Sequence, residues 1–192
     1  MFFCISCKKT KRQDPNVVII LLDDLGYGDF QSFNPNGKIN TSNINNISND
    51  GLILTNAHVT SSVCTPSRYS LLTGRYNWRS KLKNGVLTGI SGPLIKKGRS
   101  TIADLFKKND YQTGFIGKWH LGHSPEYWPT RNGFDYYYGL PYSNDMTPLA
   151  LYRGEEKIEE PVEQASLTQR YTSEAIEFIN RNQDQPFFLF LS

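Results

Sequence analysis

Six side chains in three short stretches have the types to gather a cation and an anion at one place: adjacent Asp23 and Asp24, Cys64 with Arg68 shortly after it, and Lys118 two positions before His120. Two neighbouring carboxylates repel each other, and near a buried strand they are costly unless a cation joins them. Oxygen donors unaccompanied by sulfur or imidazole favour a hard cation, Ca²⁺ or Mg²⁺. A cysteine is most often a small buried hydrophobe. Cys64, however, lies just before a helix start, where free backbone N–H groups and partial positive charge favour an anion. Arg68 falls on the first turn of that helix, and its fixed charge suits an oxygen-rich anionic centre. In extended backbone Lys118 and His120 project to one side, which sets a cation beside an imidazole. Singly, each group has a plainer reading: a solvated acidic turn, a packed thiol, a surface arginine, an exposed lysine, a packed histidine. His58 and His123 lack such company; His58 reads as a strand residue and His123 as a loop residue.

The elements that must position these groups can be read from patterning. Val17 to Leu22 is a β-branched and leucine run, the mark of a buried parallel strand, and it delivers the two aspartates at its carboxyl end. Ser42 to Asp50 reads as a short helix capped by Thr41 or Ser42 and stopped at Gly51. Leu52 to Val59 reads as a second strand. Thr65 can cap a helix with Pro66 in its first turn, ending near Gly74. Ser100 caps a helix over Thr101 to Lys108, followed by a strand from Tyr111 to Ile116. Aromatic loops and turns fill Trp119 to Met146. Leu167 to Asn182 places Tyr171, Ala175, Phe178 and Ile179 on one helical face. Phe187 to Leu191 reads as an interior strand. Strands alternating with helices argue for an α/β fold with a mixed, largely parallel sheet flanked by helices.

A chain of 192 residues with 38% hydrophobic residues can bury a real core. Its net charge of +3, carried on scattered lysines and arginines, argues against a nucleic-acid partner. No apolar run is long enough to span a membrane. The N-terminus, Met1-Phe-Phe-Cys4-Ile-Ser-Cys7 followed by Lys8-Lys9-Thr10-Lys11-Arg12, has two readings of equal weight. One is the remnant of a lipoprotein signal, with Cys7 as the lipid-anchored residue and the basic run as a tether. The other is a disordered tail. Cys4 and Cys7 also form C-x-x-C, but no second pair completes a zinc site.

Cys64-Thr65-Pro66-Ser67-Arg68 resembles the C-x-P-S-R signature of the type I, formylglycine-dependent sulfatases, arylsulfatase A-like members included. Asn16-Val-Val-Ile-Ile-Leu-Leu-Asp23-Asp24-Leu-Gly-Tyr-Gly-Asp29 and Gly117-Lys118-Trp119-His120-Leu121-Gly122 are similar to two further motifs of that family, in the family's order. The resemblance implies an alkaline-phosphatase-like fold, incomplete here, with residues 1–14 as a tether or tail and 15–192 as the N-terminal part of a catalytic domain. It implies release of sulfate from an aryl or carbohydrate sulfate ester. Cys64 is oxidised to formylglycine by a formylglycine-generating or an anaerobic sulfatase-maturating enzyme. The aldehyde hydrates to a geminal diol; one hydroxyl attacks sulfur, and deprotonation of the second releases sulfate. Asp23, Asp24 and the formylglycine at position 64 are then ligands of Ca²⁺ or Mg²⁺. Arg68 supports the formylglycine, Lys118 binds the sulfate, and His120 bonds the formylglycine oxygen.

Gly139-Leu-Pro-Tyr-Ser-Asn-Asp145-Met146 resembles a segment near the substrate cleft of arylsulfatase A-like members; its plainer reading is an ordered turn, and Tyr142 to Asp145 are assigned no role. A bacterial source would imply a periplasmic, outer-membrane-anchored or extracellular protein. The family's remaining metal ligands, a second histidine and a second lysine are expected beyond Ser192, so residues 1–192 alone are expected to be inactive, and poorly soluble because Phe187 to Leu191 would lack its neighbouring strands and covering helices. The alternatives are a phosphodiesterase or phosphonate hydrolase of the same superfamily and a non-catalytic remnant that keeps the fold.

Overall fold

The computed structural model describes residues 14–192, so the readings for Cys4 and Cys7 lie outside the described residues. The strands are β1 (Val17–Ile20), β2 (Gln112–Lys118), β3 (Tyr136–Leu140), β4 (Leu151–Arg153), β5 (Glu156–Glu159) and β6 (Phe187–Leu191). They form one sheet in the order β1-β6-β2-β3-β4-β5. β1, β6, β2 and β3 are parallel, and β4 and β5 add antiparallel at one edge. The helices are α1 (Ser42–Asp50), α2 (Cys64–Thr73), α3 (Ile102–Lys107) and α4 (Leu167–Arg181). None of the described helices is long and apolar enough to cross a membrane.

Strand period divides the core into two layers. Phe188 and Phe190 of β6 join Phe115 of β2 and Tyr137 of β3 on one face, against Tyr69 and Leu72 of α2 and Ala103 of α3. Phe187 and Leu189 face the other way, with Ile116 and Tyr138, against Leu167, Ala175 and Phe178 of α4. The result is a mostly parallel mixed sheet flanked by helices, as the alternation of elements predicts.

Several boundaries differ from the sequence reading. β1 is the outer strand of the described sheet, and one face of it is open: Val18 and Ile20 are 44% and 58% exposed. The interior strand is β6, which has β1 on one side and β2 on the other. The expectation that Phe187 to Leu191 would lack neighbours is therefore corrected; the uncovered apolar face belongs to β1. Leu52 to Val59 is not a strand. It runs as exposed turns with Leu52, Leu54 and Val59 in solvent, because it pairs with no strand of the sheet. Trp119 to Met146 is not all loop, since β3 lies within it; its three tyrosines and glycine gave no alternation to read.

Helix α3 is capped by Thr101 rather than Ser100. The Thr101 hydroxyl accepts from the Asp104 N–H at 3.2 Å, and the Asp104 carboxylate accepts from the Thr101 N–H at 2.8 Å. Thr101 Oγ also donates to the Asn132 carbonyl at 2.8 Å, tying the helix to the loop before β3. Thr101→Ala is expected to cost about 1 kcal/mol, which calorimetry would read as a fall of roughly 2–4 °C in Tm. An unchanged Tm would mean that the cap is dispensable.

Candidate active site

Three adjacent parallel strands deliver their carboxyl ends to one place, where α/β sheets put their sites. Asp23 and Asp24 follow β1, Lys118 ends β2, and Ser192 follows β6. The Leu21 N–H donates to the Leu191 carbonyl at 2.8 Å, and the Ser192 N–H donates to the Ile116 carbonyl at 2.8 Å, so the three ends are stitched together beyond the last ladder rungs. Helix α2 points its first turn at them.

Cys64 is the first residue of α2, with Val63 as N-cap, rather than a residue preceding a Thr65 cap. No side chain caps this end, so its N–H groups remain available to an anion. Thr65 is used otherwise. Its hydroxyl donates to the His120 carbonyl at 3.2 Å and accepts from the Leu87 N–H at 3.2 Å, clamping two loops onto the helix. Gly74, in the left-handed region at φ 65°, ends the helix.

The extended-backbone argument for Lys118 and His120 is corrected by the structure. β2 stops at Lys118, and His120 has a φ of 57°. The two side chains diverge onto separate partners. Lys118 Nζ donates to Asp23 Oδ2 at 2.6 Å, while His120 Nδ1 lies 3.2 Å from Cys64 Sγ. The opposite ring nitrogen, Nε2, is 2.8 Å from the Leu87 carbonyl. A carbonyl only accepts, so Nε2 carries the proton and the neutral ring turns a lone pair toward residue 64. Burial pushes the His120 pKa below its ordinary value; the Leu87 hydrogen bond opposes this, and the cations of Lys118 and Arg68 reinforce it. The imidazole is thus poised as a base.

Arg68 is 1% exposed. One guanidinium nitrogen donates to the Lys118 carbonyl and to Ser192 Oγ, and the other reaches Asp23 Oδ2 at 3.3 Å. Its contacts are therefore to the frame of the site rather than to the Cys64 thiol. Burial pulls the guanidinium pKa down, and the Asp23 charge works against that. Burial alone would raise the Asp23 pKa, but the Lys118 hydrogen bond and the two neighbouring cations hold it below the usual carboxylate range. Asp24 is exposed at φ 60° and makes no ion pair among the described residues. A cavity of about 170 Å³ has Asp23, Asp24, Cys64, Ser67 and Arg68 in its lining.

Gly117 makes this convergence sterically feasible. Its φ is 113°, and a Cβ there would fall 1.7 Å from the Ser192 carbonyl oxygen. Any side chain at 117 would push β2 and β6 apart at the end that carries Lys118.

The two aspartates fit a hard cation in kind, since they present oxygen only. They fall short in number: Ca²⁺ takes about six to eight oxygens, and no group of three or more metal-ligating side chains occurs among the described residues. Tyr142 is buried; its hydroxyl accepts from the Ala150 N–H at 3.0 Å and its ring stacks on His123 with centroids 5.0 Å apart, so the side chain is engaged within the fold. His58 sits exposed in a turn against Asn56, not in a strand. Sequence reasoning missed Leu87 and Ser192, because both act through groups that residue type does not advertise: a backbone carbonyl and a hydroxyl at a strand end.

The profile of the family described as Sulfatase matches residues 15–192. The chain is 37% identical over 99% of its length to arylsulfatase G of Homo sapiens, of which it covers 42%. It is 33% identical over 93% of its length to N-acetylgalactosamine-6-sulfatase of Homo sapiens, of which it covers 38%. The crystal structure of PsFucS1 sulfatase from Pseudoalteromonas sp. superposes with a TM-score of 0.77 at 30% identity, over 93% of this chain and 43% of that one. The chain therefore spans about two-fifths of the length of the curated relatives it matches.

Proposed function

Because this chain belongs to the sulfatase family and has its alkaline-phosphatase-like fold, we propose that it carries the nucleophile half of an enzyme that hydrolyses sulfate esters of a carbohydrate or aryl alcohol. The observation that carries this reading is the Cys64–His120 pair: a side chain at an uncapped helix N-terminus, 3.2 Å from an imidazole nitrogen whose opposite nitrogen is held by a carbonyl.

A formylglycine at position 64, hydrated to its diol, supplies one hydroxyl to displace the alcohol from sulfur and a second whose deprotonation releases sulfate and restores the aldehyde. A serine lacks that second hydroxyl, which is the chemical reason for modifying a cysteine here. His120 Nδ1 is placed to take the proton from the side chain at 64. Lys118 and the first-turn N–H groups of α2 offer positive charge to the sulfate oxygens as negative charge builds on them. Arg68 holds Asp23 and the end of β2, and so fixes where Lys118 starts. Asp23 and Asp24 would hold Ca²⁺ or Mg²⁺ together with ligands from the rest of the longer protein, and such a cation supplies Lewis acidity to the sulfate group.

The direct test is covalent. When the chain is co-expressed with a formylglycine-generating or anaerobic sulfatase-maturating enzyme, mass spectrometry of the peptide bearing residue 64 should show the thiol replaced by an aldehyde or its hydrate. Quantitative alkylation of Cys64 after such co-expression would sink the reading.

A further inference from the structure

Between Asp50 and Asp104 the chain has no acidic residue and eight lysines and arginines. The fold gathers most of them. Arg75, Arg79, Lys81, Lys96 and Arg99 line one cavity of about 90 Å³ with no carboxylate in its lining. Lys96 and Arg99 continue into a neighbouring hollow of about 560 Å³, which adds Lys97, Glu126 and the Glu155-paired Arg131, so the unbalanced charge is concentrated in the small cavity. Most arginines elsewhere in the fold have carboxylate partners, as Arg131 has Glu155, Arg153 has Glu174 and Arg170 has Glu159. None of the five around the small cavity has one among the described residues, and Arg75 Nε is buried there without any hydrogen-bond partner. Five like charges around one cavity are mutually repulsive, which an anion would relieve. On the turn between Arg75 and Arg79, Tyr76 and Trp78 stack with centroids 4.0 Å apart while staying 46% and 49% exposed. Exposed aromatic faces suit the apolar C–H face of a sugar ring.

The same loop reaches the site around Cys64. The Leu87 carbonyl holds His120, and the N–H of Leu94, in the lining of the basic cavity, donates to the Leu121 carbonyl at 3.1 Å. Cys64 opens α2 and Arg75 lies just past its end, a ten-residue helix that rises about 15 Å. A ligand touching both ends is therefore longer than one sugar.

We propose that this basic groove is a second binding site, which takes a non-reacting sulfate group of a sulfated polysaccharide whose scissile ester lies at Cys64. It rests on the sulfatase reading for the identity of the polyanion, and it assigns the substrate class: a multiply sulfated chain rather than a small aryl ester.

Calorimetric titration of the chain with dextran sulfate oligosaccharides, neutral dextran and polyphosphate tests it. Dextran sulfate should bind and neutral dextran should not. The double variant Arg79→Gln/Arg99→Gln should bind dextran sulfate roughly ten- to a hundredfold more weakly, about tenfold for each lost charge-assisted contact, with Tm unchanged. Trp78→Ala should weaken dextran sulfate and leave polyphosphate alone. Equal binding by parent and double variant would overturn the site. Equal loss of both polyanions in Trp78→Ala would overturn its carbohydrate character and favour a general polyanion surface. Because binding is read without turnover, an unmodified Cys64 with intact groove binding would count against the catalytic reading alone. A formylglycine at position 64 with unaltered binding in the double variant would count against this proposal alone.

Discussion

In the complete enzyme, Cys64→Ser is expected to release one equivalent of alcohol and then stall. A serine at the head of α2 keeps a single hydroxyl facing the same imidazole, and nothing else in the site need move, since Thr65, Leu87 and Arg68 make their contacts independently of the thiol. That hydroxyl can attack sulfur once. The resulting sulfate ester has no geminal hydroxyl from which to expel sulfate, so steady-state kcat should fall by roughly 10³-fold or more, on the scale seen when a covalent nucleophile is removed. A rapid-quench assay with an aryl sulfate, run on protein shown to be unmodified at position 64, separates the first turnover from the rest. Sustained turnover would remove the reason for formylglycine chemistry.

Lys118→Met should lower kcat by about 10²–10³-fold, or about 3–4 kcal/mol of transition-state stabilisation, by comparison with the loss of one oxyanion donor. Methionine is the informative choice because the lysine side chain is only 11% exposed and its stem packs, so the substitution removes charge more than volume. The protein should remain folded, since Arg68 stays beside Asp23. The same variant has a pH signature. Asp23 has a depressed pKa in the folded chain, so its ion pairs stabilise the fold above the ordinary carboxylate pKa, and that stability drains away as pH falls through the lowered folded value. Without Lys118, burial raises the Asp23 pKa with less opposition, and acid unfolding should begin at higher pH. Thermal melts across pH 2–7 would read the shift. Loss of the fold together with activity would instead mark Lys118 as structural.

What the sequence made legible follows from how each feature is encoded. β6 is two-faced apolar, and α4 carries one clear stripe, so both were visible. The six chemical residues were visible because short motifs held their types together. β3 was not, because Tyr136 to Leu140 packs aromatic residues on both faces and shows no alternation. The run Leu52 to Val59 looked like a strand because apolar content is local information, whereas a pairing partner is not. The divergence of Lys118 and His120 was hidden for a similar reason: the positive φ at His120 goes with hydrogen bonds of its backbone to Pro141 and Thr65, partners that spacing within one segment does not report. The basic groove escaped notice because its cations, spread over a long stretch of chain, become neighbours only when folded.

The place of β6 in the middle of the sheet also sets an order of events during synthesis. Asn16, at the head of β1, accepts from the Phe187 N–H across 171 residues of sequence, and among the described residues β1 pairs with β6 alone. Contacts so far apart along the chain close late, after the loop entropy between them has been overcome. Until the ribosome has delivered β6, the strand that leads to Asp23 and Asp24 has no neighbour to dock on, and the ends of β1 and β2 cannot meet. Translation at roughly 5–20 residues per second puts on the order of ten seconds between the two strands. For most of that interval the segment from Cys64 to Arg68 is already made but has no finished site to close over it, and the modification proposed for Cys64 would meet the thiol as part of an open chain.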